Sequence, residues 1–264
     1  KKYKIIFINV ENDNYILEND MQTWLAEPYY IDANKTISKL NKCKYLIIDH
    51  YAIDKNWENI VRNYVEKIIV LEDFIKREHC CDIIINSTIN NYNLYDNLVN
   101  KDCKLYLGME YAIINRDIFI QNINNRDKYT ISIFVSGSDI TDETSRIIYE
   151  CNLINARNDY KYTFDVIVGC LNKNYNKIKR FCEENKNFNI YYNIDNMAEI
   201  LNKSYISIGA LGQSLFEKIA LNIPSLVLTV SENQSALIDN IIKSGTFINI
   251  GNIPITYGRV LENN

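Results

Sequence analysis

Apolar residues along this chain gather into short runs separated by polar, helix-periodic stretches, and the alternation persists through most of its length. In the first half the runs predict strands over Tyr3–Asn9, Tyr45–Asp49, Lys67–Leu71, Asp82–Asn86 and Lys104–Leu107. In the second half they predict strands over Tyr129–Val135, Phe164–Gly169, Phe188–Tyr192, Tyr205–Ile208, Ser225–Val230 and Phe247–Ile250. Between the later strands, Asp142–Ala156, Tyr175–Glu184, Met197–Lys203, Ser214–Leu221 and Gln234–Lys243 read as helices. Runs such as YLIID and KIIVLE are apolar at successive positions, which suits strands buried on both faces of a parallel sheet. The polar run Gln121 to Lys128 predicts a linker, so the expected domains are residues 1–122 and 128–264. The implied fold class is α/β, with two Rossmann-like, doubly wound domains. Ligands of such sheets gather at the carboxyl ends of strands. Asp49-His50, Glu72-Asp73, Gly137-Ser138 and Gly209 to Gly212 all follow predicted strands, so a single interdomain cleft lined by all four is expected.

The densest chemistry lies between Met197 and Gln234. A brief strand leads into Gly209-Ala210-Leu211-Gly212, which turns the chain into the helix carrying Glu217. Unpaired N–H groups and the dipole at such a helix start suit a phosphate. Glu217, further along, has the reach for a carboxylate that accepts from both hydroxyls of a ribose. Pro224 is expected to end that helix, and Asn233-Gln234 then open another, where their amides reach a diphosphate or sugar. The bland alternative is a βαβ crossover whose glycines merely turn the chain. In the first half, His50 past a strand end is either a general base or the filler of a polar gap. Glu72 and Asp73 either orient sugar hydroxyls or are solvated, while Arg77 and His79 are read as structural, pinning a turn. Ser136-Gly137-Ser138-Asp139 presents either phosphate-binding N–H groups and hydroxyls or a plain turn capped by Ser138 or Asp139.

Composition narrows the classes. The 264 residues suffice for two modest cores. A net charge of -4 and a pI near 5.4 argue against nucleic acid as a partner. The 20 tyrosines follow no repeated motif, so they make no base-stacking platform. Seven cysteines, with Cys80 and Cys81 adjacent, and two histidines show no metal-ligand spacing, so no metal or other cofactor is expected. No apolar run reaches membrane-spanning length and no signal peptide is visible, so a reducing cytoplasm and no membrane partner are the expectations.

Five segments, in order, resemble the UDP-sugar hydrolases of the pseudaminic acid pathway and their spore-coat polysaccharide relatives, which have the two-domain GT-B fold of many glycosyltransferases. LIIDHYAIDKNWE (Leu46 to Glu58) resembles the family's Asp-His-Tyr-Gly segment, and VLEDFIKREHCCDIIIN (Val70 to Asn86) its Asp-Asp…Arg-x-His…Asp stretch. LGMEYAIINRDIF (Leu107 to Phe119) is similar to its Gly-x-x-Tyr-Ala segment, FVSGSDITDET (Phe134 to Thr144) to its Gly-Gly-Ser-Asp turn, and Met197 to Gln234 to its UDP half-site. The resemblance implies nucleotide binding by Gly137, Ser138, Gly209, Leu211, Gly212, Ser214, Glu217, Asn233 and Gln234. It implies sugar contacts from Glu72, Asp73 and Tyr111, and the candidate catalytic residues are Asp49, His50 and Tyr51. The family's catalytic Gly-x-Gly-His loop has no counterpart here, since no glycine precedes Gly108. Ala52, Ser136 and Asn115 also depart from the pattern, so binding looks better preserved than chemistry. The expected partner is a UDP-sugar or other nucleotide-sugar, which a full member cleaves by water attack at the anomeric carbon. The alternatives are a binding domain covalently preceded by another, as in fusions to a sugar cytidylyltransferase, and a GT-B glycosyltransferase.

Overall fold

The computed structural model describes residues 5–8, 24–40, 43–120, 126–229 and 247–252. The expected strand over Tyr3–Asn9 falls mostly outside them, and residues 5–8 carry no regular structure, with Ile5 and Phe7 exposed. The chain forms two compact units, one ending at Ala112 and the other beginning at Ile113. This division precedes the polar run at Gln121 to Lys128 because Ile114 and Ile118 already pack into a core of the second unit.

The first unit begins with α1 (Tyr29–Lys39) and β1 (Cys43–Ile48), followed by α2 (Lys55–Val61) and β2 (Val65–Leu71). Then come β3 (Ile83–Asn86) and β4 (Lys104–Leu107). All strand pairs are parallel, in the order β1-β2-β3-β4. Ile48, Val70, Ile84 and Leu105 sit side by side in register and face the core with Ile68 and Leu107. Trp57 of α2 packs into that core, and its indole N–H donates to Asp32 of α1 at 2.7 Å, which ties the two helices together. Asp54 caps α2 by accepting from the Asn56 N–H at 2.8 Å. The opposite face carries Tyr45, Ile47 and Tyr106, all exposed among the described residues. Described residues therefore cover one face of this sheet, where the apolar runs had suggested two.

The second unit holds β5 (Asp127–Phe134), α3 (Glu143–Ala156), β6 (Thr163–Val168), α4 (Tyr175–Glu184) and β7 (Phe188–Tyr192). It continues with α5 (Met197–Lys203), β8 (Ser204–Ala210), α6 (Ser214–Ala220), β9 (Ser225–Thr229) and β10 (Phe247–Asn252). Its parallel sheet runs β10-β9-β8-β5-β6-β7. Ile133, Val166 and Ile208 face one core with Ile148 of α3 and Ile178 of α4. Ile167 and Phe134 face the other with Leu201 of α5 and with Leu221 and Ile223. Both faces of this sheet are covered, so it is doubly wound. The α6 helix does not run on to Pro224. Asn222 adopts left-handed φ (+58°), and the Ile223 N–H closes back on the Lys218 carbonyl at 2.9 Å, which ends the helix with satisfied carbonyls. The expected helix Gln234–Lys243 lies outside the described residues.

Candidate functional site

In the second sheet the strand order reverses between β5 and β8, the place where open α/β sheets make their ligand crevice. The two strands meet closely there. A Cβ at Gly209 would overlap the Phe134 carbonyl oxygen, so only glycine lets β8 approach β5 at this register. Likewise a Cβ on Gly169 would lie 2.6 Å from Gly137 Cα, so the ends of β5 and β6 also touch through glycine. Gly137 is exposed with nothing within 4 Å of a would-be Cβ, and Gly212 is equally open. Ser138 and Gly212 are half-buried. These positions stand at or just past the ends of β5, β6 and β8, where such a sheet is expected to hold its ligand.

Several groups here have other duties. Asp139, 2% exposed, accepts from the Glu143 and Thr144 N–H groups at 3.0 and 2.9 Å and so caps α3, while its own N–H takes the Ser136 hydroxyl at 2.8 Å. The start of α3 is thus already satisfied by a carboxylate. The Leu211 N–H bonds the Leu228 carbonyl at 3.2 Å and its side chain is buried. Ser214 is buried in the first turn of α6. Glu217 is half-buried, its carboxylate has no hydrogen-bond partner among the described residues, and burial raises its pKa. Asn233 and Gln234 lie outside the described residues.

Lys218 was not singled out from the sequence. It is fully buried, its ammonium has no hydrogen-bond partner among the described residues, and Nζ lies 3.2 Å from where a Gly209 Cβ would stand. Beside Glu217 it reads as one of a solvated charge pair. Helical spacing from Leu211 and Leu215, both buried, was the available signal that it belongs to the inner face.

In the first unit, the ends of β1 and β2 carry a linked cluster. Arg77 donates to the carbonyls of His50 and Ile53 at 2.8 Å each and to the Glu72 carboxylate at 2.6 Å. His79, 3% exposed, bridges Glu58 at 2.6 Å and Glu72 at 2.9 Å. Burial pulls His79 down, but the two carboxylates outweigh it and hold its pKa at about 9. The other Glu72 oxygen accepts from the Asp73 and Phe74 N–H groups. Every face of that carboxylate is engaged, so Glu72 is an internal anchor and its expected contact with sugar hydroxyls is corrected. Arg77 thus fastens the His50 loop, whereas His79 ties Glu58 of α2 to Glu72 at the end of β2.

His50 Nδ1 accepts from the Ala52 N–H at 3.1 Å, which leaves the ring proton of the neutral form on Nε2. Burial lowers its pKa, with Arg77 adding to the effect against Asp32 and Asp49. His50 is therefore set as a neutral ring whose Nε2–H can donate. The Tyr51 hydroxyl donates to Asp73 at 2.7 Å, and burial together with that carboxylate pushes its pKa far above the ordinary phenol range. Its ring meets Trp24 and Phe74 edge-on at 5.7 and 5.3 Å. Asp49 is exposed at the end of β1. Tyr111, past the end of β4, lies at the same sheet edge but three strands away, roughly 14 Å at ordinary strand spacing. The structure thus joins Tyr51 and Asp73 beside His50 and leaves Tyr111 apart.

A comparison with models of known protein families finds no match. Among curated proteins, the chain is 25% identical over 240 residues to the UDP-2,4-diacetamido-2,4,6-trideoxy-beta-L-altropyranose hydrolase of Campylobacter jejuni, covering 87% of this chain and 84% of that protein. It is 26% identical to the uncharacterised protein MJ1062 of Methanocaldococcus jannaschii, over 80% of this chain and 46% of that one. It is 27% identical to a Helicobacter pylori protein named as pseudaminic acid cytidylyltransferase and the same hydrolase, over 78% of this chain and 37% of that one. The chain thus spans less than half the length of the latter two. Among solved structures, MurG of Acinetobacter baumannii superposes with a TM-score of 0.50 at 11% identity, covering 84% of this chain and 63% of that one, which speaks to the fold. At 25 to 27% identity over most of its length, this GT-B-like α/β chain is similar to curated UDP-sugar hydrolases of the pseudaminic acid pathway, as its motifs had suggested.

Proposed function

We propose that the chain binds a UDP-linked diacetamido-trideoxyhexose and releases UDP by hydrolysis, as the name of its Campylobacter relative states for that protein. The observation that carries this reading is the β5/β8 switch point, where Gly137 and Gly212 leave open backbone at the strand ends and the half-buried Glu217 follows in α6. In this reading Glu217 accepts from the ribose hydroxyls, and Gly137, Ser138 and Gly212 border the diphosphate. Water attacks the anomeric carbon, the bond from that carbon to the diphosphate oxygen breaks, and UDP leaves with its electron pair, inverting the centre. The water proton passes to a carboxylate, a role that falls to the exposed Asp49, while His50 donates through Nε2–H.

Phosphorus NMR of the chain with the UDP-linked sugar tests this. Free UDP in many-fold excess over protein is expected. A spectrum that stays unchanged while UDP binds would reject turnover and support a second reading, binding without hydrolysis. That second reading is favoured by the donor tautomer of His50, which removes the nearest histidine as a base. An Asp49→Asn chain should keep its UDP affinity and lose roughly a hundredfold or more in turnover, the usual size of a general-base contribution.

A further inference from the structure

A lysine with its ammonium wholly inside a protein, and without a hydrogen-bonding partner, is costly enough that it calls for an explanation. Among the described residues Lys218 is such a residue, and it sits at a telling place. Its ammonium lies beneath Gly209, on the side of β8 that a side chain there would occupy, where β8 crosses closest to Phe134 of β5. The same side of the sheet is polar at one register. Ser132 of β5 pairs with Ser207 of β8, both are fully buried, and neither hydroxyl has a hydrogen-bond partner among the described residues. The cation therefore lies in a polar spot under the crevice floor, and among the described residues Glu217 is the charge that acts on it appreciably. Burial lowers its pKa and Glu217 partly restores it, to about 8, so near neutrality it remains charged.

We propose that Lys218 is the positioning cation for the phosphate end of the ligand, acting through the crevice floor at Gly209 without touching the ligand. The proposal rests on the reading of the second unit as nucleotide-binding. A buried charge is weakly screened, so its field reaches the nearest strand ends, which are those of β5 and β8 at the switch point. An apolar side chain at this helical position would pack equally well and supply no field. Lysine here selects phosphates over a bare nucleoside.

The test is calorimetric titration of UDP, uridine and inorganic pyrophosphate into the intact chain and into Lys218→Met, which keeps length and removes charge. UDP and pyrophosphate should weaken roughly ten- to a hundredfold, the scale of one unit charge a few ångströms below a surface. Uridine should be unchanged. Lys218→Gln gives the same comparison should methionine disturb packing. Unchanged UDP and pyrophosphate affinities would overturn the proposal, as would parallel losses of UDP and uridine, which mean a structural prop. Pyrophosphate bound by the intact chain and lost in the variant, with no uridine or UDP binding at all, would uphold Lys218 and sink the nucleotide reading. Binding of none of the three would overturn both.

Discussion

His79 is one of only two histidines in the chain, and the structure gives the two opposite electrical characters. Held between Glu58 and Glu72, His79 has a pKa of about 9 against an ordinary value of 6.5. Its folded pKa lies above the unfolded one, so its stabilisation is complete below pH 6.5 and disappears as the pH rises through 9. The first unit should lose on the order of 3 kcal/mol between pH 6.5 and 9.5 from this residue. Urea melts at the two pH values would measure the loss, and His79→Gln should be less stable at pH 6.5 with a flatter pH dependence. His50 is shifted the other way, and nitrogen-detected NMR at pH 7 should find its proton on Nε2. A proton on Nδ1 would contradict the Ala52 hydrogen bond and restore His50 as a base. In the second unit, Glu217→Ala should lower the melting temperature only modestly, because the buried Lys218 loses a neighbouring charge but no hydrogen bond to a described residue is lost. It should weaken UDP binding about tenfold, the worth of charge-assisted bonds to a ribose.

At the scale of elements, the two glycines flanking the β8-to-α6 turn should separate folding from binding. Gly209→Ala forces a methyl into the Phe134 carbonyl, so β5 and β8 must part at the register that builds the crevice. A loss of about 3 kcal/mol or more is expected, at the upper end of overpacking costs, seen as a lower thermal midpoint of the second unit. Gly212→Ala meets nothing within 4 Å and should fold normally, yet crowd a phosphate, so UDP affinity falls while the melt stays put. Equal melts for both variants would mean that β8 approaches β5 less closely than described. Asp139 takes the capping role that the sequence offered as one reading of its turn. Its carboxylate caps α3, and the phosphate reading of that turn is left to Gly137 and Ser138.

For the molecule as a whole, two separate sets of apolar clusters serve the two units, and cysteines are distributed through both. All seven cysteines are free thiols. Burial raises the thiol pKa of Cys151 to about 12 and of Cys182 to about 11, whereas Cys170 is exposed. Mass spectrometry after brief alkylation of the native chain should find Cys170 modified first and Cys151 and Cys182 protected. Denaturation without reductant should release all seven for labelling. Fewer than seven adducts would reveal a disulfide that the geometry does not contain.

Local periodicity was enough to place most strands, because a strand buried in a parallel sheet leaves a short apolar run whatever its neighbours are. Lys104–Leu107 and Phe188–Tyr192 came out as read, and β8 only grew to Ser204–Ala210 once it had β5 and β9 to pair with. The short helices of the first unit were not placed. Over so few residues α2 has little periodicity, and it is held by Asp54 as a cap and Trp57 as an anchor. The motifs fall at or just past the ends of β1, β2, β5 and β8. What they could not give was which polar groups at those ends remain open to a ligand. Glu72, Leu211 and Asp139 have donors or acceptors suited to binding, but partners distant in sequence, or across a turn, already engage them. Lys218 is the reverse case, a charge that reads as solvated until packing shows it buried. Residue type and spacing are local properties and survive in a sequence. Hydrogen-bond occupancy, tautomer and desolvation depend on what folding brings alongside, and only the tertiary structure decides them.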